Sequence, residues 1–110
     1  MHIVQINYRR PEMAKAEWEA RYTDDRAKPF LEVPGLLWKI WLDGDAERLA
    51  GGIYLFADQA SAEAYANGPI AARIKANPDF SDVSVRVFAV RQRMSEITRA
   101  PIDFGKLAAE

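Results

Sequence analysis

Cysteine is absent from the 110 residues, and histidine occurs once, at His2. Without thiols there can be no disulfide, no thiolate nucleophile and no iron–sulfur ligation. With one imidazole, a single chain cannot assemble a two-histidine, one-carboxylate iron site. An excess of one charge is missing too: 15 basic residues against 16 acidic ones leave a net charge of −1. No basic stripe is available to neutralise phosphates, which argues against nucleic acid as a partner. No apolar run approaches the ~20 residues of a membrane span, and Met1-His2-Ile3 leads into a strand-like segment without a secretory leader pattern. The expectation is a cytoplasmic protein, free of metal and cofactor, with no membrane partner.

What is present is apolar residue in abundance, 49% of the chain against 28% charged, in a length suited to a single domain over residues 1–110. The most informative stretch is Pro34-Gly35-Leu36-Leu37-Trp38-Lys39-Ile40-Trp41, followed after a turn by Gly51-Gly52-Ile53-Tyr54-Leu55-Phe56. Pro34-Gly35 punctuates a turn, and Asp43-Gly44-Asp45 supplies the chemistry to reverse the chain, so a β-hairpin is expected. By alternation, Leu36, Trp38, Ile40 and Leu42 share one face of its first strand, and Leu37 and Trp41 the other, interrupted only by Lys39. A hairpin with one wet face would not be apolar on both parities. This one is expected to be covered twice.

Upstream, residues 2–8 alternate, with His2, Val4, Ile6 and Tyr8 on one face, and read as a first strand. Pro11 suits the first turn of a helix, and Ala14, Trp18 and Tyr22 recur at four-residue spacing as its apolar stripe. Asp24-Asp25-Arg26 reads as solvated, and Pro29 ends or kinks this helix. Downstream, Asp58 is a plausible N-cap for a second helix through Ala60, Ala64 and Tyr65. Asn67-Gly68-Pro69 breaks it, and Pro69 opens another helical piece ending near Asn77-Pro78. Residues 82–90 alternate again, and residues 94–110 read as a C-terminal arm able to reach a partner chain.

The order is β-α-β-β-α-β, an α+β ferredoxin-like arrangement: a four-stranded antiparallel sheet with its helices on one face. Two helices cannot cover the second face, so a second copy of the sheet is expected to, giving a homodimer in the form of a dimeric α/β barrel.

The paired blocks over residues 34–41 and 51–58, with Ser61-Ala62-Glu63-Ala64-Tyr65, Val87-Phe88-Ala89-Val90 and Ser95-Glu96-Ile97, resemble the YdhR-like monooxygenases of the dimeric α/β-barrel superfamily. The resemblance is close over residues 34–98 and covers the first 33 only in pattern. It implies a cofactor-independent monooxygenase whose substrate is a small aromatic or polycyclic phenol or quinol that passes electrons directly to O₂. Such a protein must supply an apolar cavity, a group that handles the substrate proton, and donors for the developing oxyanion. In oxygenases of the superfamily the cavity lies between sheet and helices.

On that basis Trp38, Tyr54 and Asn7 are the candidate catalytic residues, with Tyr65, Phe56 and Arg73 as candidate substrate contacts. Each has a plainer reading: the aromatics as core, Asn7 as a hydrogen-bond bridge, Lys39 as an interface ion pair or snorkelling side chain. Parity places Trp38 and Tyr54 with Tyr65 in the cavity, and Lys39 with Trp41 on the dimer side. His2 reads as a surface residue. Gly51-Gly52 opens a strand and is no dinucleotide fingerprint, which follows a strand and opens a helix. Haem-degrading members of the superfamily use a strand-one asparagine, which Asn7 would match, with a tryptophan and a haem-ligating histidine on the second helix. Tyr65 and Arg73 fall roughly where those two would lie, so the iron ligand is lost and haem degradation is not expected. Two other classes stay open: a non-catalytic small-molecule binding or sensing dimer, and a purely structural one.

Overall fold

The computed structural model describes residues 1–103; the remainder of the expected C-terminal arm lies outside the described residues. Four strands form one antiparallel sheet in the order β2-β3-β1-β4: β1 (His2–Arg9), β2 (Leu36–Gly44), β3 (Leu49–Phe56) and β4 (Ser81–Ala89). This is the ferredoxin-like α+β fold the element order implied. β1 lies at the centre because its alternation puts Val4, Ile6 and Tyr8, all buried, under the helices. The core adds Ala50, Tyr54 and Phe56 from β3, and Ala62, Tyr65 and Ala66 from the covering helix.

That helix, α3 (Gln59–Ala66), begins where Asp58 Oδ1 accepts a hydrogen bond from the Ser61 amide at 2.8 Å. Asn67 and Gly68 separate it from α4 (Pro69–Ala76), whose proline stands in the first turn where an amide would lack a partner anyway.

The segment before the hairpin departs from the single long helix expected there. It forms α1 (Lys15–Glu19), α2 (Asp24–Ala27) and a 3₁₀ turn (Lys28–Glu32). The Thr23 hydroxyl accepts from the Arg26 amide, so the chain stops and restarts at Thr23, and Pro29 opens the tighter 3₁₀ turn. Of the expected stripe, Trp18 is fully buried, Tyr22 half-buried and Ala14 exposed.

The register of the hairpin corrects the assignment of its faces. Leu36 pairs with Phe56 and Trp38 with Leu55, so Leu37 is an extra residue in a bulge. Leu36 therefore stands on the helix side, while Trp38, Ile40 and Leu42 stand on the other. From there the pairs are Lys39 with Tyr54 and Trp41 with Gly52. The expected grouping of Trp38 with Tyr54, and of Lys39 with Trp41 on the far side, is thus reversed. A single residue of register moves every side chain to the opposite face.

The second face carries Ile3, Asn7, Trp38, Ile40, Ile53 and Phe88. Across it the chain returns after α5 (Gln92–Ile97), where the Trp38 indole Nε1 donates to the Pro101 carbonyl at 2.8 Å. Ile102, next in sequence, is buried.

Candidate active site

Lys39 and Tyr54 face each other across β2 and β3 beneath the helical layer. The space between them exists because Gly52 has no side chain: a Cβ there would come within 3.0 Å of Lys39 Cε and 3.3 Å of the Tyr54 ring. The Lys39 ammonium sits among three rings, with Nζ 3.2 Å from the centroid of Trp41, 3.7 Å from Phe30 and 4.7 Å from Tyr54. Each ring face favours the charged form. Burial disfavours it, and the Arg26 guanidinium nearby adds like-charge repulsion, so the Lys39 pKa is pushed down to about 7. Arg26 lies 5.7 Å from the Trp41 centroid and 5.0 Å from that of Tyr22. Trp41 thus meets two cations. These groups surround a cavity of about 90 Å³, closed by Tyr8, Ile74 and Phe80.

A larger cavity, about 440 Å³, opens between the chain entering β2 and the α3–α4 pair. Its walls are Val33, Pro34, Ala60, Ala64, Pro69 and Ile70, with Ser61, Gly68 and Tyr65, and no charged side chain among them. Tyr65 couples the two spaces, because its ring packs on Tyr54 with centroids 5.0 Å apart and on Phe56 at 5.5 Å. The Tyr65 hydroxyl is buried, and its nearest polar neighbour is the Tyr54 hydroxyl, which it meets without a well-formed hydrogen bond among the described residues. Burial raises the pKa of Tyr65, and burial together with the neighbouring Tyr65 raises that of Tyr54. Burial raises Tyr8 as well, against the opposing pull of Arg26. All three phenols remain protonated at neutral pH and can act as hydrogen-bond donors.

Of the residues singled out from the sequence, Tyr54, Tyr65 and Phe56 come together here. Trp38 and Asn7 do not. Both stand on the opposite face of the sheet, Trp38 bonded to the arm and Asn7 opposite Gly51 beside Leu42 and Asp43. Arg73 projects from the exposed side of α4, its Nε donating to the Pro69 carbonyl at 3.4 Å. His2 lies on the helix face at the end of β1, half-buried, and lines neither cavity. Sequence reasoning placed Lys39 on the dimer side and missed Arg26, Phe30 and Tyr8 as its neighbours. The available signal was a lysine between two tryptophans on a strand apolar on both parities; the register alone puts it under the helices.

Residues 3–101 match the family described as "Putative mono-oxygenase ydhR". The chain belongs to that family. Two solved structures of MhuD share the fold. One, the haem degrader from Mycobacterium tuberculosis with two haems in its active site, is 31% identical, with a TM-score of 0.56 over 81% of this chain and 95% of that one. The other, an MhuD mutant with two manganese protoporphyrin IX molecules per active site, is 30% identical, with a TM-score of 0.55 over 81% and 94%. No curated protein matches the chain. No group of three His, Cys, Asp or Glu side chains that could hold a metal ion is gathered among the described residues. No helix among them is long and apolar enough to cross a membrane.

Proposed function

We propose that this YdhR-family chain is a cofactor-independent monooxygenase for a small aromatic or polycyclic phenol or quinol, acting as a cytoplasmic homodimer. The observation that carries the reading is an apolar cavity of about 440 Å³ without a charged side chain, with Tyr65 in its wall and the Tyr65 hydroxyl buried behind that wall next to Tyr54. A ligand oxygen that drew this hydroxyl into the cavity would recover part of the cost, about 1–3 kcal/mol, of a poorly paired buried polar group. A neutral, flat, largely apolar molecule with one phenolic or ketonic oxygen has the matching chemistry.

The haems in the two MhuD structures raise the question whether this site suits a haem. Haem iron takes an axial His, Cys, Met or Tyr. Neither cavity is lined by His, Cys or Met, the single histidine lies outside both, and Tyr65 is held protonated by burial. The residues present do not fit a haem, and no step is routed through one.

In the proposed reaction an activated CH₂ between two aromatic rings becomes a carbonyl. Two hydrogens leave with one oxygen atom as water, and the second oxygen of O₂ stays in the product. The substrate supplies all the electrons. The substrate enters as its enolate, having given one proton to the solvent; Tyr65 then donates to the enolate oxygen, and the apolar walls keep water from the carbanion carbon.

The test is oxygen uptake with a panel of hydroxyanthrones and hydroquinones. One O₂ per substrate is expected, falling roughly 10²-fold in Tyr65→Phe, the usual cost of one oxyanion donor. No uptake above buffer across the panel would remove the enzymatic reading. The charge-free lining of the large cavity also suits a second reading, a non-catalytic binding module. Saturable binding of the same compounds without uptake would select it.

A further inference from the structure

Lys39 and Arg26 are two cations facing one aromatic cavity, and neither has a carboxylate within ion-pair distance among the described residues. Several other basic side chains near the sheet are compensated, whereas Arg86 of β4 is solvent-exposed and Arg21 lies over the Trp18 ring. Arg10 meets Asp43 and Asp45, Arg9 meets Asp82, Lys15 meets Asp45 and Arg48 meets Glu12. An uncompensated pair of like charges against an apolar core is costly unless something anionic completes it. The surroundings offer no anion of their own. Trp41 of β2, Gly51 and Tyr54 of β3, Tyr8 of β1, Phe30 of the 3₁₀ turn, Ile74 of α4 and Phe80 enclose the space, and the nearby Asp43 lies outside it, exposed and turned to Arg10. A cavity of about 90 Å³ suits a small species such as O₂ or a linear triatomic anion.

We propose that Lys39 and Arg26 form a binding site for a small monovalent anion, which under the oxygenase reading is the superoxide made when the substrate carbanion gives one electron to O₂. The large cavity then holds the substrate and the small one the reduced oxygen, on the two sides of the Tyr54–Tyr65 pair. The step balances. The carbanion loses one electron and becomes a radical, and O₂ gains it and becomes superoxide. The superoxide then leaves the small cavity for the substrate radical, the two join through a C–O bond as a peroxide anion, and this takes a proton and loses water to leave the carbonyl. A cation already in place where the negative charge appears lowers the cost of that first transfer with no reorganisation at the moment of reaction. In this arrangement Lys39 acts as a charge and not as a base. The lowered pKa gives the idea a sign: oxygen reduction should weaken as the pH rises through about 7 and Lys39 loses its proton.

The superoxide role rests on the proposed oxygenase function, so the test has two arms. The first needs no turnover. Azide is titrated into the full-length protein at pH 6, with binding read by calorimetry and by the shift of the azide infrared stretch. Saturable one-to-one binding is expected, at least tenfold weaker in Lys39→Met and retained in Lys39→Arg, with circular dichroism confirming that both variants fold. Binding that is absent from the wild type, or indifferent to both substitutions, overturns the anion site. The second arm measures kcat/KM for O₂ with any substrate active in the panel. A fall of about 10²-fold is expected in Lys39→Met, with substrate affinity unchanged and Lys39→Arg largely active at pH 8. Loss of activity in Lys39→Arg as severe as in Lys39→Met, with a rate that rises through pH 7, would make Lys39 a base and overturn the superoxide role. Azide binding without uptake on any substrate would leave the anion site standing and the oxygenase reading refuted.

Discussion

Lys39 has a folded-state pKa near 7 against an ordinary value of 10.5, because burial and Arg26 outweigh the ring faces that favour its charge. Below pH 7 the lysine is charged in both folded and unfolded chains, and the folded state bears the full cost of desolvating it. Between 7 and 10.5 the unfolded chain binds more protons than the folded one, so stability rises with pH across that window. Lys39→Met should remove the dependence. The variant is expected to be more stable than wild type at pH 6, by roughly 1–3 kcal/mol after allowance for partial solvation, and nearly equal to it at pH 10. Urea unfolding at the two pH values measures this, and an equal gain at both would mean that Lys39 is already well compensated. Tyr65 gives the complementary case. Deleting its poorly paired hydroxyl should leave stability unchanged or raise it by up to about 1 kcal/mol. A donor kept at no benefit to folding is better explained by a ligand than by the core, and a Tyr65→Phe chain that lost 2 kcal/mol or more would reverse that conclusion.

Between elements, the fit of α3 to the start of β2 depends on one glycine. Gly35 has φ of +77°, its carbonyl accepts the Ala57 amide at 2.9 Å, and an added Cβ would run into the Ser61 side chain. Gly35→Ala therefore meets both backbone strain and a clash with the capped first turn of α3. A loss of roughly 2–4 kcal/mol is expected, read as a lowered Tm, with weaker ligand binding because Pro34 and Ser61 wall the large cavity. Pro34-Gly35 was legible as a turn from the sequence alone, as were the Asp58 cap, the Gly68-Pro69 break and all four strands, since each rests on local chemistry. What was not legible depended on contacts distant in sequence. The bulge at Leu37 arises from pairing with β3, and it moves Leu36 to the face opposite Trp38, which no alternation count within β2 reveals. Arg26 read as solvent-facing because Asp24 and Asp25 precede it. It leans inward because Tyr22 and Trp41, the latter fifteen positions downstream, offer it two ring faces. The split of the first helix has the same character: the apolar stripe was right at Trp18 and Tyr22, while the Thr23 cap won over continuation.

For the molecule as a whole, the second face of the sheet decides the assembly. The arm returning to Trp38 crosses it as a single strap, and Leu55, on this same face beside Trp38 and Ile3, is fully buried. A strap one chain wide cannot cover four strands spaced about 4.8 Å apart. Ile40 on one edge strand and Phe88 on the other remain 47% and 45% exposed, with Ile3, Ile53 and Leu42 only partly covered between them. This apolar stretch is the one the doubly apolar hairpin implied, now with Trp38, Ile40 and Leu42 as its β2 members in place of Lys39 and Trp41. A second copy of the same sheet, laid against it about the strap, would be self-complementary and would bury Ile40 and Phe88 of both chains. The protein is accordingly expected to sediment at micromolar concentration near 25 kDa, twice the 12.4 kDa of one chain. Ile40→Glu should shift it to a folded monomer by placing a charge within the contact, whereas Lys39→Met, on the helix side of the same strand, should leave the dimer intact. A wild-type chain that is monomeric and folded under those conditions would mean that the strap and the solvent suffice to cover this face. A dimer broken by Lys39→Met but not by Ile40→Glu would mean that the two chains meet through the helical side.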